Sequence, residues 1–241
     1  MQQQQLSGQA YLERYGHAWN EPGLAQQYVA NSDRDSNQRA DGFKMMAAVV
    51  PFDREQAINV LDIGTGQGNI AALVLDAFPN ARAVGLDVSE PMMQIALERM
   101  AAYGDRFRYK LGDFVDGDLP GDLGGPFDVV VASRSIHHLP TEKKQRLYRA
   151  VYASLNTGGG FFNLDSVAPD DDYLRGVYRS VGRILRGEQP QASDTVTRGP
   201  SAGHYYETLD EHLGLLRNAG FTSVDCFWKR LGMTVLGGYK K

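Results

Sequence analysis

At 241 residues, with 42% hydrophobic and 22% charged residues, the chain has the size and composition of one large α/β domain, or of one domain with a small cap. Its formal net charge is −4 and no block of lysine and arginine stands out, which disfavours nucleic acid as a partner. A single cysteine, Cys226, excludes an internal disulfide framework; with no long apolar run and no secretory signal in the opening Met1-Gln2-Gln3-Gln4-Gln5, a cytoplasmic protein without a membrane span is expected.

The segment from Gln9 to Asn37 is polar and aromatic, with Tyr11, Tyr15, His17, Trp19 and Tyr28, and reads as one or two short helices outside the main sheet. Residues Ser36 to Val50 carry Phe43, Met46, Ala47 and Val50 at helical spacing, with Ser36 as cap and Pro51 as stop. A regular alternation follows. Ile58 to Ile63 predicts a buried strand, the glycine turn Gly64-Thr65-Gly66-Gln67-Gly68 comes next, and Ile70 to Phe78 predicts a helix. Arg82 to Asp87 is a second strand, Glu90 to Tyr103 a helix capped by Ser89, and Phe107 to Leu111 a third strand.

Phe127 to Ala132 predicts a fourth strand, Glu142 to Leu155 a helix, and Gly160 to Asp165 a fifth strand. Strands and helices in this rhythm imply right-handed crossovers and a parallel sheet. Residues 168–206 interrupt it with an amphipathic stretch and a polar loop, read as a cap inserted in the domain. After a helix from Leu209 to Ala219, strands Thr222 to Trp228 and Met233 to Tyr239, linked by Lys229-Arg230-Leu231-Gly232, predict a terminal antiparallel hairpin. The expected fold is Rossmann-like: seven strands, mostly parallel, an antiparallel C-terminal strand, helices on both faces and a helical cap. The expected division is residues 1–35 as an N-terminal cap segment and 36–241 as the main domain.

A glycine turn between strand and helix brings backbone and helix N-terminal amides close to a ligand. Dinucleotide enzymes use G-x-G-x-x-G, whereas Gly64, Gly66 and Gly68 give G-x-G-x-G, with Asn69 where the third glycine of that fingerprint falls. Asp62, just before the turn, would repel a pyrophosphate and suits a cationic ligand.

Val60 to Gly68 resembles the first motif of class I S-adenosylmethionine-dependent methyltransferases of small-molecule type. Gly85-Leu86-Asp87-Val88-Ser89 is similar to their second motif, Leu111-Gly112-Asp113-Phe114 to their third, Phe127 to Ser133 to their fourth, and Asn218-Ala219-Gly220-Phe221 also fits. The resemblance spans roughly residues 36–241 and implies S-adenosyl-L-methionine as cofactor. It places Asp62 near the methionine amino group, Gly64, Thr65, Gly66 and Gly68 along methionine and ribose, and Asp87 on the ribose hydroxyls. Val88 and Met92 would pack on adenine, with core packing as an equal alternative; Asp113 would accept from the exocyclic amine and Phe114 add apolar area. Upstream, Arg39 is a candidate for the methionine carboxylate and Tyr28 for the sulfonium, against a solvated charge and a core tyrosine.

Methyl transfer needs an aligned nucleophile, exclusion of water and, where required, a proton acceptor. The edge past the fourth strand reads Ser133-Arg134-Ser135-Ile136-His137-His138. Ser133 is expected beside the cofactor, and His137 or His138 is a candidate general base, with a packing role as the alternative. No metal is expected, because neighbouring histidines should point different ways. Arg175, Tyr178, His204, Tyr205 and Tyr206 are candidates to line a small polar or aromatic substrate. The C-terminal part also resembles enzymes that make carboxy-S-adenosylmethionine, with Tyr205 standing where they carry a carboxylate-binding arginine; that departure favours the ordinary cofactor. A tRNA- or protein-directed methyltransferase and a fold using the cofactor for other chemistry stay open, as does a homodimer.

Overall fold

A computed structural model describes residues 20–34, 36–189 and 204–241. Tyr11, Tyr15, His17 and Trp19, and the polar loop of the expected cap from residue 190 to 203, lie outside the described residues. The elements in chain order are α1 (Pro22–Arg34), α2 (Ser36–Ala48), β1 (Asn59–Ile63), α3 (Asn69–Ala77), β2 (Arg82–Asp87), α4 (Glu90–Arg99), β3 (Phe107–Leu111), β4 (Phe127–Ser133), α5 (Thr141–Ser154), β5 (Leu155–Ser166), α6 (Asp172–Leu185), α7 (Leu209–Ala219), β6 (Thr222–Arg230) and β7 (Met233–Tyr239). Short 3-10 segments cover Ala101–Arg106 and Ile136–His138.

The strands form one seven-stranded sheet in the order β3-β2-β1-β4-β5-β7-β6. The first five pair in parallel, and β7 runs antiparallel between β5 and β6. Strand periodicity builds a core on each face. Val129 and Val131 of β4 join Val60, Met46 of α2 and the buried face of α3 (Ile70, Val74, Leu75) on one side. Val130 and Ala132 join Leu61, Ile63, Leu147 and Val151 of α5, and Leu213 and Leu216 of α7 on the other. Each such aliphatic side chain removed from water contributes roughly 1.5–3 kcal/mol, which locks the sheet register.

Local chemistry sets the helix ends. The Ser89 hydroxyl accepts from the Met92 amide at the start of α4, and Thr208 and Glu211 close a reciprocal capping box on α7, which ends at left-handed Gly220. Two expectations are corrected. The helix read as Glu90 to Tyr103 stops at Arg99, because the chain passes into a 3-10 segment around Gly104 at φ 56°, ψ −129°. The fifth strand begins at Leu155 rather than Gly160, since β4 pairs with it from Phe127 onward through a register shift that absorbs the glycines. The order reverses between β1 and β4, so the ends of those strands flank the switch-point crevice where open α/β sheets bind ligands.

Candidate active site

The turn after β1 is built to hold its backbone open. Gly64 sits at φ 68° and Gly66 at φ 52°, a region that side chains rarely occupy. A Cβ on Gly64 would lie 2.2 Å from the Cβ of Ser135, so turn and post-β4 segment touch there. A Cβ on Gly66 meets no atom within 4 Å, so its backbone faces open space. The Gly64 and Thr65 amides donate to the Leu86 carbonyl at 2.8 and 3.1 Å, and the Ser135 hydroxyl donates to the Ile63 carbonyl at 2.8 Å. These bonds tie β1, β2 and the end of β4 into one rim. Gly68, also left-handed, caps α3.

Two carboxylates lie on this rim. Asp87 accepts from the amides of Gly66 at 2.8 Å and Ser89 at 3.0 Å, and burial raises its pKa. Asp62 accepts from the Thr65 hydroxyl at 2.7 Å and the Ala71 amide at 3.2 Å, both on Oδ2. Its Oδ1 is buried without a partner, and burial pushes the carboxyl up to about 7. A buried acceptor with one lone oxygen is destabilising until a donor reaches it, and an ammonium group meets that need. The chemistry of this donor set therefore fits the amino-acid end of S-adenosylmethionine, with Gly66 leaving room beside it.

Phe114 has its ring within 3.7 Å of a Cβ built on Gly64. Val88 is half-buried and lines, with Pro91, Ile95 and Leu111, a cavity of about 670 Å³, while Met92 is fully enclosed. Asp113 accepts from the Val115 amide at 2.7 Å, closing its own turn. The ring of Tyr28 lies under the guanidinium of Arg134 at 5.6 Å, which places α1 against the segment following Ser133. Arg39 is buried and lines a second cavity with Arg134. Sequence reading missed Tyr109, whose hydroxyl is buried without a partner; burial, with the Asp87 and Asp62 charges, keeps it protonated.

Beyond β4 the chain gathers aromatic nitrogen. The His137 ring, 7% exposed, bonds through Nδ1 to Asp165 Oδ1 at 2.7 Å, and its amide donates to Asp165 Oδ2 at 3.2 Å. Burial would raise the Asp165 carboxyl, but His137 and the Ser166 amide outweigh it and hold it down at about 2. The His137 ring stacks on His204 at 5.1 Å and on Tyr206 at 5.3 Å. The expectation that the neighbouring histidines diverge is corrected: the rings of His137 and His138 lie 4.2 Å apart, because the 3-10 turn after Ser135 compresses the backbone. Nitrogens of His137, His138 and His204 fall within 4.8 Å of one another.

The segment bearing His204, Tyr205 and Tyr206 is pinned from below. The Tyr205 amide donates to the His137 carbonyl at 2.7 Å. Buried Lys144 of α5 donates to the Tyr205 carbonyl and to Glu207, which also accepts from Thr141 at 2.8 Å. Of the substrate candidates, His204 and Tyr206 therefore meet His137. Arg175 instead pairs with Asp172 on its own helix at 3.2 Å, and Tyr178 lies under Lys229 at 5.8 Å, near Gly232. Asp165, Lys144 and Glu207 were not singled out from sequence; an acid closing a strand opposite a histidine turn is the signal that marks Asp165.

A protein-family model described as "Methyltransferase domain" matches residues 61–161, the stretch from the glycine turn into β5. The chain is 28% identical over 199 residues to acetylserotonin O-methyltransferase from Bos taurus, covering 81% of this chain and 50% of that protein. It is 20% identical over 173 residues to carboxy-S-adenosyl-L-methionine synthase from Nautilia profundicola, covering 70% of this chain and 72% of the relative. Among solved structures, an O-methyltransferase family protein from Burkholderia thailandensis superimposes with a TM-score of 0.69 at 18% identity, over 95% of this chain and 63% of the other. The chain thus spans half the length of the bovine relative and less than two thirds of that structure.

Proposed function

We propose that the chain is a class I S-adenosylmethionine-dependent methyltransferase, a reading its similarity to that family supports, and that it methylates a small-molecule acceptor by in-line displacement, with His137 as proton acceptor. The cofactor supplies a methyl group activated by a positive sulfur. Asp62 would take its ammonium group on the lone Oδ1, Asp87 its ribose hydroxyls and Arg39 its carboxylate, while Gly64, Thr65, Gly66 and Gly68 give close backbone approach. Val88, Met92, Asp113 and Phe114 would hold the adenine end, and Tyr28 and Ser133 flank the reacting edge.

The observation that carries the reading is the buried Asp165–His137 pair on the rim shared with the glycine turn. With Nδ1–H donating to the carboxylate, Nε2 keeps its lone pair for the acceptor's proton, and Asp165 fixes the ring and stabilises the cation that forms. Tyr206, His204 and His138 enclose that ring and exclude water. The match to a bovine O-methyltransferase supports a small hydroxylated acceptor. The lone cysteine supports a cytoplasmic location.

The test is transfer from methyl-deuterated S-adenosylmethionine to a panel of small hydroxylated and amino acceptors, read by mass spectrometry. Wild type should label an acceptor, and Asp165→Asn should lose about 10²–10³-fold in turnover while binding S-adenosylhomocysteine as before. Cofactor binding with no transfer to any acceptor would instead favour other cofactor chemistry, the reading that the carboxy-S-adenosylmethionine synthase match represents.

A further inference from the structure

The turn after β4 and the segment entering α7 bring three imidazoles together. His137 and His138 are neighbours in sequence, and the 3-10 turn holds their rings 4.2 Å apart at 41°. The divergence that argued against a metal is therefore absent. The His204 ring lies 5.1 Å from His137 and 4.8 Å from His138. One nitrogen from each of the three rings falls within 4.8 Å of the other two. Backbone bonds fix the approach of the distant member: the Tyr205 amide donates to the His137 carbonyl at 2.7 Å, and buried Lys144 donates to the Tyr205 carbonyl.

Two further observations point to a ligand. Nδ1 of His204 is buried without a hydrogen-bond partner, and a buried polar atom in that state is costly until something meets it. His137 Nδ1 is bonded to the Asp165 carboxylate at 2.7 Å. In metal sites a carboxylate in this place orients the imidazole and makes its other nitrogen a stronger donor, which assigns Nε2 as the His137 ligand atom. An imidazole has two ring nitrogens, so each histidine needs to give only one. His137 is buried while His138 and His204 are half-buried, which leaves the group a side open to an incoming ion.

We infer that His137, His138 and His204 form a site for one divalent transition-metal ion of the zinc class. Three imidazole donors suit zinc, cobalt, nickel or copper, whereas magnesium and calcium take oxygen ligands. Around tetrahedral zinc the nitrogens stand about 3.3 Å apart, so the rings close by at most about 1.5 Å and a fourth position stays open. The Asp165 charge favours a cation at His204, and the Arg134 charge opposes it. The site stands on these residues alone; only its consequence rests on the methyltransferase reading. His137 Nε2 has one lone pair, which goes either to the metal or to the acceptor's proton, so the loaded chain loses its proton acceptor.

Calorimetry on the untagged full chain, stripped by a chelator, tests this with zinc, cobalt and magnesium chlorides. Zinc and cobalt should bind at one ion per chain and magnesium should not, with bound cobalt showing the visible absorption of a nitrogen-ligated ion. His138→Gln and His204→Gln, each checked for an unchanged circular dichroism spectrum, should each weaken zinc binding at least about tenfold. Asp165→Asn should weaken it about 10–100-fold, and Arg134→Gln should tighten it, since a like charge is removed. No zinc binding by wild type, equal binding of magnesium, or unchanged zinc affinity in the histidine variants would overturn the proposal. So would a thiolate charge-transfer band in the cobalt spectrum, which would place the ion at Cys226. On an acceptor that the stripped chain methylates, zinc should slow transfer at least about tenfold and chelation should restore it; unchanged or faster transfer would overturn the exclusion. Zinc binding with no methyl transfer to any acceptor would support the metal site and fail the methyltransferase reading alone.

Discussion

Asp62 spends binding energy in advance: one carboxylate oxygen is buried without a donor, and desolvation raises the group from 3.8 to about 7. A folded-state pKa above the unfolded value favours folding at low pH, and that advantage is lost as pH rises from 3.8 through about 7. A bound ammonium reverses the balance, because it needs the ionised carboxylate. Affinity for S-adenosylhomocysteine should therefore fall by up to about tenfold per pH unit below 7, measured by calorimetry. Asp62→Asn should flatten that profile and weaken binding at pH 8 by about 1.5–3 kcal/mol; an unchanged slope in the variant would remove Asp62 from the site. The sequence announced Asp62 plainly, by a carboxylate two positions before a glycine turn. It hid Asp165, which reads as the last residue of a strand and acquires its role only when β5 lies beside the turn bearing His137.

Among elements, α5 determines where the histidines and tyrosines stand. Lys144 is enclosed under residues 205–207, donating to the Tyr205 carbonyl and to Glu207. Removing one member of a buried pair leaves an uncompensated charge, costing about 3–5 kcal/mol. Lys144→Met should lower the melting temperature by roughly ten degrees and should loosen the His137–Tyr206 stack, while Lys144→Met with Glu207→Leu should recover much of the stability. A single variant as stable as wild type would show that the pair does not hold the segment. None of this was legible beforehand, since Lys144 sits in a polar helical run and Glu207 is 63 residues away. The regular elements were legible: β2, β3, β7 and α7 begin and end where hydrophobic periodicity and caps place them. The misplaced ends of α4 and β5 both fall at glycines, where pattern gives no signal.

Across the whole molecule, the sheet order turns separated segments into one crevice. The glycine turn follows β1, Asp87 ends β2, and the serine and histidine run follows β4, so the reversal between β1 and β4 assembles them from more than seventy residues of chain. The second cavity, lined by Arg39, Arg134, Arg186 and Arg230, needs a further level of assembly, drawing on α2, the turn after β4, the end of α6 and the β6–β7 hairpin. Linear charge patterning shows only an acidic chain with scattered arginines. The central claim is a cofactor held by the rim carboxylates and the glycine turn. Its most direct test is calorimetric titration with S-adenosylhomocysteine of wild type and Asp87→Ala, which removes the carboxylate at the end of β2 proposed to accept from the ribose hydroxyls. One-site binding by wild type, weakened about tenfold or more in the variant, is the expected result; no binding by wild type, or equal binding by both, would contradict the account.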